Sequence, residues 1–128
     1  MPGKNAEILH DNAGRVNEGN IELYVTDRFE FVPVADEEEA ARMILEVYQK
    51  ELERWGQGNV VVICPRRSKC MVSVEKLNPR LQDIVNPGRS NDHAVTIGGR
   101  EFRIRDRVVQ MRNTAAASNG DIGELIDI

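Results

Sequence analysis

The chain has 128 residues, 41% of them hydrophobic and 30% charged, enough for one compact core and too few for two ordinary domains. Its formal net charge of −4 is unevenly laid out: residues 1–63 hold six Lys/Arg against thirteen Asp/Glu, and residues 64–128 hold eleven against eight. One region therefore suits an anionic partner and the other does not. No apolar run approaches the ~20 residues that span a bilayer and the first residues lack a signal peptide's apolar core, so a soluble cytoplasmic protein with no membrane partner is expected.

In chain order, residues 6–17 (AEILHDNAGRVN) read as a short helix ended by Gly19. FEFVPVAD then gives a short strand through Phe29, Phe31, Val32 and Val34, with Pro33 placing it at a sheet edge or strand end. Asp36 followed by Glu39 is a helix start. The aspartate can cap free backbone N–H groups, and Glu37 to Glu39 suit the positive end of the helix dipole. Ala40, Ile44, Val47, Tyr48, Leu52 and Trp55 recur at three- and four-residue intervals up to Gly56, which predicts an amphipathic helix with a solvated acidic face.

Asn59–Pro65 (NVVVICP) is a β-branched run without polar alternation, the pattern of a parallel strand covered on both faces. A helix followed by such a strand implies an α/β layer. Val74, Leu77, Leu81, Ile84 and Val85 return to helical spacing. Within a helix begun at Ser73, Pro79 would remove a hydrogen bond, whereas with Asn78 as cap it fits the first helical position, so a kink or restart is expected there. Asn86-Pro87-Gly88 ends the element.

After a polar linker (GRSNDH, 88–93) the period changes. AVTI and REFRI flank Gly98-Gly99, a hairpin signal, and DRVVQMRN and DIGELIDI flank Asn119-Gly120 across a longer loop. The last third is expected to be a small antiparallel β unit. In an alternating strand, Phe102 and Ile104 would share one face and Arg103, Arg105 and Arg107 the other.

The sequence carries no G-x-x-x-x-G-K-[S/T] phosphate loop, no G-x-S-x-G elbow and no Cys/His or paired-carboxylate arrangement, so no catalytic residue is assigned. Cys64 and Cys70 build neither a metal set nor a disulfide framework. Cys64 reads as a buried core thiol, Cys70 as incidental, and His10 and His93 as solvated. The loop after NVVVIC holds Arg66, Arg67 and Lys69, where an open α/β sheet gathers its ligands, and guanidinium forks suit phosphate oxygens.

Four ordered segments, NAGRVNEGN (12–20), VVVICPRR (60–67), VEKLNPRLQDIVNP (74–87) and FRIRDRVVQMRN with NGDIG (102–113 and 119–123), resemble the C-terminal motor region of RecD-like superfamily 1 DNA helicases. That family includes the alpha subunit of exodeoxyribonuclease V. The resemblance implies an α/β fold in which residues 1–90 are part of a second RecA-like motor domain with a parallel sheet. Residues 91–128 would be the start of its inserted Src-homology-type barrel, a small antiparallel β unit. The family's ATP-binding loop, acidic Mg²⁺ motif and arginine motif have no counterpart here.

The chain is therefore expected to be a fragment of an ATP-dependent DNA helicase or exonuclease subunit serving DNA repair and recombination. It would be inactive alone and hold no cofactor, with ATP and Mg²⁺ belonging to the intact motor. Its contribution would be a DNA-tracking surface of Arg66, Arg67, Lys69, Arg103, Arg105, Arg107, Arg112 and Asn113. The expected partners are single-stranded DNA, bound weakly, the remainder of the motor, and a second copy paired through an exposed β edge. The alternative is a stand-alone small β-barrel adaptor that binds protein or nucleic acid. The sequence departs from the family pattern at RRSKCMVSV, where the family has a glycine-containing loop. It departs again at Arg105, where the family tends to place glycine before the aspartate, and in the short alanine-rich loop before NGDIG.

Overall fold

The structure is a computed structural model that describes residues 4–20, 22–25, 27, 29–88 and 93–128. The chain divides into two compact units, Met1–Val34 and Ala35–Ile128.

In the first unit, α1 (Lys4–Asn17) ends as the sequence predicts, with Gly19 at φ 78. The Gly19 amide donates to the Val16 carbonyl at 3.0 Å and the Asn20 amide to the Arg15 carbonyl at 2.8 Å, the paired closure that a left-handed residue after a helix permits. The buried Asn12 fastens the following segment to this helix. Its Nδ2 donates to the Tyr24 carbonyl at 2.7 Å and its Oδ1 accepts from the Tyr24 amide at 2.8 Å, so one side-chain amide satisfies both backbone groups of one residue. Arg15 adds hydrogen bonds to the Glu22 carbonyl and the Tyr24 hydroxyl, with its guanidinium 4.2 Å from the Tyr24 ring centre. The strand expected from FEFVPVAD does not form: past a one-residue bridge at Phe29 there is no pairing, and Phe31, Val32 and Val34 are exposed. Apolar alternation makes a segment β-prone, but a ladder needs a neighbour, and Pro33 removes one donor.

In the second unit, α2 (Glu37–Trp55) starts at the predicted cap. Asp36 Oδ1 accepts from the Glu39 amide at 2.8 Å, while Glu39 Oε2 accepts from the Ala35 amide at 2.7 Å. Gly56, at φ 82, closes the helix by donating its amide to the Leu52 carbonyl. The buried residue of the stripe is Ala41 rather than Ala40, and Val47 and Trp55 lie exposed.

A 3₁₀ turn at Gln57–Asn59 leads into residues 60–64, which run extended but form no strand. This corrects the buried parallel strand expected from NVVVICP: Val61 is 78% and Ile63 86% exposed, while Val60, Val62 and Cys64 are half-buried. No parallel sheet occurs among the described residues. A β-branched run sets the backbone to be extended, but only a neighbouring strand can cover its second face. Cys64 is accordingly half-buried and not a core thiol.

α3 (Val74–Val85) begins at Ser73 and runs through Pro79 without the expected restart. Pro79 deprives the Glu75 carbonyl of its i+4 donor, and both residues are exposed, so water can serve that carbonyl. The N-cap is Ser73, not Asn78. Asn86 ends the helix with its amide on the Gln82 carbonyl at 2.7 Å.

Of the predicted linker, residues 89–92 lie outside the described residues. The two predicted hairpins are present. β1 (Ala94–Ile97) pairs antiparallel with β2 (Arg100–Arg103), Ala94 opposite Arg103 and Ile97 opposite Arg100, through a turn whose Gly98 and Gly99 take φ 60 and 79. β3 (Arg107–Val109) pairs with β4 (Ile122–Glu124), Arg107 opposite Glu124. Among the described residues, two antiparallel two-stranded sheets follow three α-helices. Among the described residues the fully buried hydrophobics are Ala41 and Leu77, contributed by α2 and α3. No helix among them is long and apolar enough to cross a membrane.

Candidate nucleic-acid interface

Arg66, Arg67 and Lys69 lie together on the loop that enters α3, all three exposed. The loop is shaped by the needs of the helix. The first amides of α3 have no intrahelical acceptor. Here the Val74 amide donates to the Arg66 carbonyl at 3.1 Å, the Glu75 amide to the Arg67 carbonyl at 3.0 Å and the Lys76 amide to Ser73 Oγ at 3.3 Å. The buried Ser73 hydroxyl in turn donates to the Cys70 carbonyl at 2.7 Å, and Cys70 Sγ to the Val72 carbonyl at 3.2 Å. The Met71 amide reaches Glu37 on α2. The helix terminus is thus closed by its own loop, and what the loop offers an anion is its side chains. The side chains of Arg66, Arg67 and Lys69 make no hydrogen bond or ion pair with other described residues.

Arg103, Arg105 and Arg107 do not lie on one strand. β2 ends at Arg103, and Arg105 takes φ 76 in the turn before β3, so the alternation expected through residue 107 is broken. The organising group is Asp106. Its Oδ2 accepts from Gln82 Nε2 at 2.7 Å and from the Arg103 amide at 2.8 Å, and its Oδ1 accepts from Asn86 Nδ2 at 2.8 Å. Gln82 and Asn86 are four residues apart on one face of α3, and each also donates to a backbone carbonyl of the β region, Glu101 and Ile104 respectively, at 3.0 Å.

Arg103 closes the same clasp from the other side. Its Nη1 donates to Asp83 Oδ1 and to the Asn86 carbonyl, both at 2.9 Å, and its Nε pairs with Glu101; its side chain is 13% exposed. The hydrogen bond to Glu101 raises the guanidinium's pKa, Asp83 adds to the effect, and burial opposes it. Its cation is spent on α3 and the strand it belongs to.

Arg105 is exposed, and its amide donates to the Leu125 carbonyl at 2.6 Å. Arg107 donates to the Gln57 carbonyl at 2.8 Å. Its charge partly offsets the burial that pushes the Tyr48 phenol above its ordinary pKa. Arg112 is exposed on the β3–β4 loop, and the neighbouring Asn113 Oδ1 accepts the Asn119 amide at 2.7 Å, an internal brace of that loop. Of the eight candidates, the structure groups Arg66, Arg67 and Lys69 on one loop, engages Arg103, Arg105, Arg107 and Asn113 in interactions within the chain, and sets Arg112 exposed on the β3–β4 loop. Sequence reasoning did not single out Gln82, Asn86 and Asp106 as the group that fixes α3 to the β region. The four-residue spacing of Gln82 and Asn86 was the available signal. His10 and His93 are exposed, and among the described residues no cluster of His, Cys, Asp and Glu could hold a metal ion.

Two short antiparallel sheets held to α3 around Asp106 are consistent with a small SH3-like β unit. Residues 77–128 match the family described as the ATP-dependent RecD-like DNA helicase SH3 domain, and the match supports a RecD-like helicase family. The matched span begins within α3, so it takes in Gln82 and Asn86 together with the strands they hold. No curated protein and no solved structure matches the chain.

Proposed function

We propose that the chain is a non-catalytic piece of an ATP-dependent DNA helicase of the RecD-like kind, carrying the start of its SH3-type barrel and part of the motor domain into which that barrel is inserted. The observation that carries this reading is the family match over residues 77–128, the span held together by the Asp106 clasp. In this reading residues 1–90 belong to the second RecA-like motor domain, and strands of the remaining motor cover the exposed Val61 and Ile63. ATP and Mg²⁺ serve the intact motor, the work is DNA repair or recombination in the cytoplasm, and an exodeoxyribonuclease V alpha-type subunit is the parent.

The surface contributed to DNA centres on the loop of Arg66, Arg67 and Lys69, whose side chains are exposed while only backbone atoms of Arg66 and Arg67 support α3. Phosphate contacts give affinity without sequence preference, and it falls steeply with salt. Arg66→Glu combined with Arg67→Glu is expected to leave the melting temperature unchanged, to weaken single-stranded oligonucleotide binding by roughly tenfold at low salt, and to flatten the log-log salt dependence by about 1.4. Fluorescence anisotropy across a salt series reads this directly. Binding that survives the double charge reversal with its slope intact would remove the loop from the interface.

The β3–β4 hairpin carries exposed apolar side chains, Val109 and Ile122 within its short strands and Met111 and Ile126 just beyond them. Unpaired strand edges recruit further strands. The isolated chain is expected to self-associate at tens of micromolar, and sedimentation equilibrium showing a clean monomer there would count against an edge-paired dimer.

A further inference from the structure

Asn119-Gly120 is the sole Asn-Gly pair in the sequence, and both residues are exposed. Chemistry singles out such a pair. The backbone nitrogen after an asparagine can attack that residue's own side-chain amide carbon, and a following glycine has no side chain to obstruct the approach. Asn78 and Asn86, by contrast, precede prolines, which have no N–H to give up.

The fold holds the pair in an unreactive shape. The Asp121 amide donates to the Ser118 carbonyl at 3.0 Å and Gly120 takes φ 93. The non-glycine residues of positive φ among the described residues are Lys69 and Arg105, so Asn119 lies at negative φ. This is the pattern of a type II turn with Asn119 and Gly120 at its centre. Such a turn sets ψ of the Asn119 position at about +120°, which directs the Gly120 nitrogen away from the Asn119 Cβ, whereas ring closure needs the two eclipsed. A second lock lies on the nucleophile, because the Gly120 amide donates to the Gln110 carbonyl at 2.8 Å. The Asn119 amide on Asn113 Oδ1 and the Ser118 amide on Asp121 Oδ2, at 2.7 and 2.8 Å, brace the same turn. The locks last only while the β3–β4 hairpin is closed. Its strands have three residues each, and all of β4 is exposed, the kind of ladder that opens locally at low cost.

We propose that Asn119 is a self-modifying site released by opening of the β3–β4 hairpin. In the open chain the Gly120 nitrogen bonds to Asn119 Cγ while the Cγ–Nδ2 bond breaks, and Nδ2 leaves as ammonia with the Gly120 amide proton. Water then adds across either C–N bond of the cyclic imide. Cleavage of the new bond gives aspartate, and cleavage of the original main-chain bond gives isoaspartate. Both products place a carboxylate beside Asp121. Isoaspartate also lengthens the main chain by a methylene, so the Ser118–Asp121 turn cannot close again in its former register, and opening becomes permanent.

The test incubates the whole chain in mildly alkaline buffer, without urea and at urea concentrations below and above the unfolding midpoint, alongside Val109→Gly and Asn119→Gln. Peptide mapping by mass spectrometry follows the exchange of NH₂ for OH at each asparagine, and NMR follows hydrogen exchange at the Gly120 amide. Conversion at Asn119 is expected to run at least roughly tenfold slower in the folded chain than above the midpoint, and to rise in step with Gly120 exchange. Val109→Gly weakens β3 opposite Ile122 and is expected to speed conversion roughly threefold. Asn119→Gln, which would have to close a larger ring, is expected to show none over the same time. A folded chain that converts as fast as the unfolded one overturns the proposal, because the turn would then impose no gate. So does an unfolded chain in which Asn119 converts no faster than Asn113. Should Val109→Gly fail to fold, the parent below its midpoint decides, and Gly120 exchange that rises there without faster conversion overturns the proposal.

Discussion

Asp106→Ala is expected to lower the unfolding free energy by about 3 kcal/mol, the largest effect of any single substitution outside the small core. The carboxylate accepts from Gln82, Asn86 and the Arg103 amide, and bonds to a charged acceptor contribute roughly 1.5–3 kcal/mol each before non-additivity and partial rehydration reduce the sum. Two side-chain donors would be left facing a methyl group. With Ala41 and Leu77 as the fully buried hydrophobics among the described residues, apolar burial has little reserve to offset that loss. Asp106→Asn keeps the shape but turns an amide N–H₂ toward a donor, so about half the loss should remain. Urea denaturation checks this: the midpoint falls and the m-value holds if the fold is unchanged and only less stable. A midpoint within error of the parent would mean that the clasp does not hold α3 to the β region.

How much of this was legible in the sequence depended on the range of the interaction. α2 was readable because its Asp36 cap, its acidic first turn and its Gly56 stop all lie within a few residues of the backbone they satisfy. Both hairpins were readable for the same reason, Gly98-Gly99 and Asn119-Gly120 being able to fold the chain where they stand. Asn59–Pro65 was misread because a buried strand is a property of its neighbours, and Val61 and Ile63 have none along them among the described residues. The arginine alternation failed at a single residue. Arginine rarely takes φ near +76, so nothing in RIRDR announced that the strand would break at Arg105 and send Asp106 back to α3. The clasp joins residues 20 and more positions apart, a pairing that local patterning cannot supply.

Arg103→Glu is expected to destabilise the chain by about 2 kcal/mol, and the reason separates this arginine from the others. Its ion partners Asp83 and Glu101 are 65% and 46% exposed, so each pair is screened and worth less than about 1 kcal/mol by itself. The larger contribution is geometric. A guanidinium that is 13% exposed fills a site whose every facing group, the two carboxylates and the Asn86 carbonyl, is an acceptor. A glutamate there brings a third carboxylate to two others and leaves the Asn86 carbonyl without its donor, whereas Arg103→Met keeps the packing and should cost about half as much. Arg112→Glu makes the same charge change on an exposed loop and should stay within ~0.5 kcal/mol. Urea midpoints for the three variants give the order Glu, Met, parent for the Arg103 series. If Arg103→Glu unfolds no more readily than Arg112→Glu, its guanidinium is a surface group available to DNA, and any loss of oligonucleotide binding in that variant reports a contact rather than a weakened clasp.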